Sequence, residues 1–138
     1  MYQTILIALA LDQGHAPRAF EVARRLKAAD GKIVALHVID RIPNFASLYL
    51  AAEQTPDSAE KIVQAARQAI LDRIGEPQDA EVVVLSGHPG RTVTDHAGKI
   101  GADCIIAGSH KPNLTEFFLG STAARIMRYA KCSVHILR

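Results

Sequence analysis

Residues 105–127 read IIAGSHKPNLTEFFLGSTAARIM. An aliphatic run ends at Gly108, a polar loop follows, and a second glycine, Gly120, stands directly before Ser121, Thr122 and a run with helical periodicity. A short apolar run closed by a glycine is the pattern of a strand buried on both faces. The stretch is therefore a strand–loop–helix unit, and the same unit can be sought along the rest of the chain.

It recurs. TILIALAL (4–11), KIVALHVID (32–40), AEVVVLSG (80–87), ADCIIAGS (102–109) and SVHILR (133–138) are the five predicted strands. Helices are expected between them. The first covers 16–30, with Pro17 near its start and Gly31 as a terminating glycine. The second covers 56–74, capped by Thr55, with Ile62, Ala65, Ala66, Ala69 and Ile70 as its inner stripe and Gly75 at its end. The third carries Val93 and Ala97 inward and closes at Gly101. The last directs Ala123, Ile126, Met127 and Ala130 inward. Apolar strands alternating with amphipathic helices define an α/β fold: one open five-stranded parallel sheet with helices on both faces. Right-handed crossovers favour the order 3-2-1-4-5, as a single domain over residues 1–138. Its reversal lies between the first and fourth strands, so a ligand is expected beyond their carboxyl ends, where ALALDQGH and AGSHKPN stand.

Composition narrows the class. Apolar residues make up 49% of the 138, which suits a packed core, and the absence of Trp makes that core aliphatic. The N-terminal apolar run is too short to cross a bilayer and has neither a basic start nor a small-residue cleavage site, so a cytoplasmic protein with no membrane partner is expected. Cys104 and Cys132 sit in or beside apolar runs without CxxC spacing, as reduced core thiols do. Residues 1–90 hold nine basic and eleven acidic groups; residues 91–138 hold seven basic and three acidic. That excess suits a small anion near the quoted loop or is uneven surface charge; a nucleic-acid surface needs a denser basic stripe.

The start of a helix offers unpaired N–H groups and a positive dipole end, which together attract anions. Gly120 lets a phosphate reach the backbone, and the Ser121 and Thr122 hydroxyls can donate to its oxygens. Gly108 lets a flat group lie against the strand end, and His110 and Lys111 can add charge. The same GST sequence also serves as an ordinary helix cap. It is not a Walker loop, because no Lys follows Gly120, and no GxGxxG follows the first strand. His15, His88 and His110 fall on the ligand side without metal-binding spacing, so no protein-held metal is expected. His37 and His135 lie inside strands, as core or interface residues. No catalytic dyad is present.

Together TILIAL, ALHVID, SGHPG and the segment from Gly101 to Arg138 resemble the universal stress protein family, and the resemblance covers the whole chain. GSHKPNLTEFFLGS is similar to its F/G-like branch. The resemblance implies the adenine nucleotide alpha hydrolase-like arrangement. ATP-binding members carry G-x2-G-x9-G-[ST], onto which Gly108, Gly120 and Ser121 map, with Thr122 next in the turn. Val38 matches the second-strand position whose backbone meets adenine. Lys111 stands at the second glycine, and the loop is one residue shorter than the pattern. Ala10 stands where the family usually has an aspartate; Asp12 lies two residues on.

These implications set the functional expectations. The first is ATP or another adenine nucleotide, with Mg2+ held by the phosphates, bound by a regulatory homodimer with an unknown protein client in a stress response. Slow ATP hydrolysis or self-phosphorylation on Ser109, Ser121 or Thr122 is the enzymatic alternative. A nucleotide-free interaction module is the third, favoured by Ala10. The dimer is expected through the fifth strand, Val134 and Ile136 meeting their copies across a two-fold axis.

Overall fold

The computed structural model describes residues 1–10, 14–40, 56–109 and 119–138, and of residues 56–59 the backbone alone. Nine elements alternate: β1 Tyr2–Leu9, α1 Ala16–Leu26, β2 Lys27–Ile39, α2 Pro56–Ile74, β3 Ala80–Ser86, α3 Pro89–Ile100, β4 Cys104–Gly108, α4 Ser121–Tyr129 and β5 Ser133–Leu137. The five strands form one sheet in the order β3-β2-β1-β4-β5, every pair parallel, as the alternation of strands and helices requires.

β1 is the strand on which the sheet is built. Ile5, Leu6 and Ile7 are almost wholly buried. Side chains alternate along a strand, so β1 feeds two cores. Ile5, Ile7 and Leu9 join Ile33, Ala35, Cys104 and Ile106 beneath Phe20 and Ala23 of α1 and Ile70 of α2. Leu6 joins Val34, Leu36, Ile105 and Ala107 beneath Val93 and Ala97 of α3 and Ile126 of α4. The helices thus sort two to each face.

Three helical expectations change. α1 ends at Leu26, not at Asp30, and β2 begins at once, with Lys27 opposite Tyr2. The next regular partners are Thr4 and Lys32, so the intervening residues of β2 bulge out of the ladder. Gly31 lies in that bulge. It is needed for close approach: a Cβ there would sit 2.8 Å from the Tyr2 carbonyl oxygen and 2.8 Å from Lys27 Cγ. On α2, Ile62, Ala65 and Ala69 are exposed, and the inner side carries Val63, Ala66, Ile70, Leu71 and Ile74. On α4, Met127 is exposed while Ala123 and Ile126 are buried. Gly101 behaves as read: at φ 66° it closes α3, its N–H directed at the Ala97 and Gly98 carbonyls. The capping position of α2, Thr55, lies outside the described residues.

Asp103 stitches the amino ends of the strands together. Its carboxylate accepts from the Gln3 N–H at 2.8 Å and the Thr4 N–H at 2.9 Å. Its own N–H donates to the Thr4 carbonyl at 3.0 Å, and its carbonyl accepts from Ser133 at 3.3 Å. Desolvation pushes the carboxyl pKa up, but the backbone N–H groups of Gln3, Thr4 and Asp103 itself, with the N-terminal charge, together outweigh it, and the net shift is below the ordinary aspartate value.

Two outcomes test this account. Ile106→Ala should cost about 2–5 kcal/mol by urea unfolding, whereas Met127→Gln should stay within about 0.5 kcal/mol; equal costs would contradict the assigned faces. The Asp103 contribution should be present above about pH 4 and fade as the pH falls through the lowered folded value. Wild type and Asp103→Asn should therefore differ in urea midpoint at pH 7 and converge in acid. Identical midpoints at pH 7 would show that the stitch does not stabilise the fold.

Candidate functional site

The order reversal places the carboxyl ends of β1 and β4 side by side, with Ala8 paired to Ala107. Beyond β4 the chain makes one turn of consequence. The Ser109 N–H donates to the Leu137 carbonyl of β5 at 2.7 Å, and the Ser109 carbonyl accepts from the Gly120 N–H at 2.7 Å. A single peptide segment thereby joins the end of β4, the end of β5 and the start of α4. Ser109 itself is buried.

Gly120 is the residue before α4, at φ −57° and ψ 152°. Every residue type adopts those angles, so backbone conformation does not require a glycine here. The Gly120 carbonyl accepts from the Ala124 N–H at 2.9 Å, which starts the helical ladder. Helix geometry leaves the N–H groups of Ser121, Thr122 and Ala123 without an acceptor inside the helix. Among the described residues no side chain caps them, and the first turn holds no acidic residue. Ser121 is exposed and Thr122 half-buried. The arrangement is a patch of open donors at the positive end of a helix dipole.

Gly108 and Ala10 meet across a narrow cleft that also takes in His15 and Leu137 and encloses about 10 Å³. Next to it, Ala10, Gly14 and Pro17 border a cavity of about 390 Å³ that reaches Ile70 and Ile74 of α2. Val38 sits one strand away, opposite Leu85 of β3, its side chain half-buried against the α3–α4 core. Of the residues read as a site, the structure thus joins Ala10 to Gly108 and groups Gly120, Ser121 and Thr122. Asp12, His110 and Lys111 lie outside the described residues, as does the 41–55 segment.

The histidines divide. His15 precedes α1 and lines the cleft, a position the sequence connects only with metal binding; its place directly before the Ala-Pro helix start was the available signal. His88 caps α3, its Nδ1 accepting from the Arg91 N–H at 3.4 Å. His37 is half-buried, with Nδ1 3.2 Å from the Leu9 carbonyl oxygen. His135 is exposed on β5 and is not a core residue. The two thiols are free and belong to opposite faces of the sheet. Burial, and then the neighbouring Cys132, push the Cys104 thiol up to about 11; burial also raises Cys132, which is only half-buried. Neither is poised as a thiolate. Among the described residues no helix is long and apolar enough to cross a membrane.

A parallel sheet in this order, with helices on both faces, defines a small Rossmann-like α/β domain. The Universal stress protein family profile matches residues 1–138, and the chain belongs to that family of stress-response proteins. It is 28% identical over 141 residues to Universal stress protein A homolog 2 of Coxiella burnetii, covering 99% of this chain and 95% of the relative. It is also 28% identical over 145 residues to Universal stress protein G of Escherichia coli O157:H7, spanning 100% of both. Two solved structures share the fold. A universal stress protein in complex with cAMP aligns with TM-score 0.60 at 22% identity, over 99% of this chain and 97% of that one. The universal stress protein of Archaeoglobus fulgidus in complex with dAMP aligns with TM-score 0.54 at 19% identity, over 99% and 98%.

Proposed function

We propose that the protein binds an adenine nucleotide, ATP or a close relative, and acts as a homodimeric regulatory module in a stress response. The observation that carries this reading is the start of α4. Ser109 pins Gly120 at the end of β4, and the N–H groups of Ser121, Thr122 and Ala123 are left without intrahelical acceptors. Phosphate oxygens supply the acceptors those donors lack, and the adjoining Ser121 and Thr122 hydroxyls can bond them too. Gly120 then has a purpose that its backbone angles do not provide, since a side chain would stand between the phosphate and the helix start. Relatives of the same fold were solved with cAMP and with dAMP, which supports an adenine nucleotide as the ligand class. The N–H groups suit phosphate and the first turn of α4 holds no carboxylate, so Mg2+ would be held mainly by the phosphates themselves. The 390 Å³ cavity beside Ala10 is of the size small-molecule sites have.

The test is calorimetry with ATP–Mg2+ on wild type and Gly120→Val. Valine accepts φ −57° and ψ 152°, so the variant should keep its fold and unfolding midpoint. Its affinity should fall by about 2–4 kcal/mol, the scale of one or two charge-assisted hydrogen bonds. A wild type with no affinity for ATP, ADP or AMP overturns the reading. A variant that binds as tightly removes the helix start from it.

The dimer rests on β5. Among the described residues β5 pairs with β4 alone, so its outer edge carries unsatisfied backbone groups. Ser109 bonds to Leu137, and by strand alternation the N–H groups of Val134 and Ile136 point away from β4. Two copies meeting antiparallel would satisfy one another's edges. Light scattering should give twice the chain mass for wild type and a shift toward monomer for Ile136→Lys, with circular dichroism unchanged. A wild-type monomer, or a dimer indifferent to the lysine, rejects this assembly.

A further inference from the structure

The basic excess of the last third of the chain does not gather at the glycine loop alone. Of its seven basic residues, Arg91, Lys99, Arg125, Arg128 and Lys131 lie on α3, on α4 or directly after it. Asp95 is the single acidic residue of those two helices, and it pairs with Arg91 at 3.7 Å. Among the described residues Arg125, Arg128 and Lys131 have no carboxylate partner. Arg125 and Arg128 instead approach the same aromatic ring, their guanidinium carbons 4.9 and 5.7 Å from the Tyr129 centroid. Two like charges share one ring with no anion between them, which costs energy that an incoming carboxylate would relieve.

The same layer holds a groove of about 510 Å³. α3 and α4 touch where a Cβ on Gly90 would meet the Arg125 side chain at 2.9 Å. Alongside that contact the groove opens over a floor of small residues, Ala97, Gly98, Ala102 and Cys132, with Arg91 and its partner Asp95, Arg125 and Lys131 on its walls, so that three cations stand there against one carboxylate. A Cβ on Gly98 would meet nothing within 4 Å. The cationic groups are spread along the groove: Arg91 is in the first turn of α3 and Lys131 lies past the end of α4. A lone phosphate is gripped by cations that converge on a point; spaced cations suit a ligand with spaced negative charges. α3 is 12 residues long, about 18 Å at 1.5 Å per residue, which an extended chain of about five residues spans.

We propose that the groove between α3 and α4 is a docking surface for an extended acidic peptide segment of a partner protein, its carboxylates on Arg91, Arg125 and Lys131 and its small side chains on the Ala–Gly floor. This inference does not rest on nucleotide binding. It assigns a surface and a chemistry to the client.

Fluorescence anisotropy with a short fluorescein-labelled peptide of alternating Glu and Ala tests it, with a Lys/Ala peptide and an oligothymidylate of matched charge as competitors. The Glu/Ala peptide should bind saturably and more weakly as salt rises. Arg125→Glu with Lys131→Glu should lower its affinity roughly tenfold or more. Gly98→Leu should lower it comparably; it adds no charge, fills the groove, and raises helix propensity, so it stays informative even if the double variant fails to fold. The proposal is overturned by an oligothymidylate that binds as tightly as the peptide, by an affinity that Gly98→Leu leaves unchanged, or by an absence of saturable peptide binding.

Discussion

β1 surrenders its solvent on both faces, and the other elements take their places from that. A strand with Ile5, Leu6 and Ile7 all buried must have a strand on each edge and a helical layer on each side. β2 and β4 supply the edges. α1 and α2 close one face, and α3 and α4 close the other. Because consecutive connections leave β1 toward β2 and return to β4 on its far side, the strand ends diverge at that boundary. The open helix start beside β4 therefore follows from how the central strand is buried.

The alternation of apolar runs and helical stripes was enough to read the strand order, because each run is too apolar to face water. Helix faces were harder. α2 offers apolar residues in two interleaved rows, Ile62, Ala65 and Ala69 in one and Val63, Ala66, Ile70 and Ile74 in the other, so periodicity alone could not choose. Tertiary packing chose the row with more volume to bury. Met127 misled for a similar reason: it is apolar and next to Ile126, but only one of the two can face Leu6 and Ile105. The end of α1 was misread because Gly31 resembles a helix terminator, whereas the structure uses it where two backbones nearly touch.

At the candidate site, the position of Gly120, Ser121 and Thr122 at a helix start was legible, because a helix start advertises itself in residue types. The role of Ser109 was not. Its contribution runs through backbone N–H and C=O, which every residue has, so nothing in the letter S announces it. The basic layer on α3 and α4 was visible as a charge imbalance between two parts of the chain, but a linear sequence does not say that three of those residues, Arg91, Arg125 and Lys131, come to flank one groove.

The bulge between Leu26 and Lys32 has a consequence for how this chain tolerates change in length. Between the pairs Tyr2–Lys27 and Thr4–Lys32, one β1 residue, Gln3, faces four of β2, Ala28 to Gly31. Past that point the ladder is regular through His37, and its phase decides which side chains reach which core. Slack sits at the single place where helix runs into strand without a loop. An inserted or deleted residue there would alter the size of the bulge and leave Ile33 opposite Ile5. The segment works as an expansion joint: length can drift in the α1–β2 connection while the alternation that feeds the two cores stays in phase.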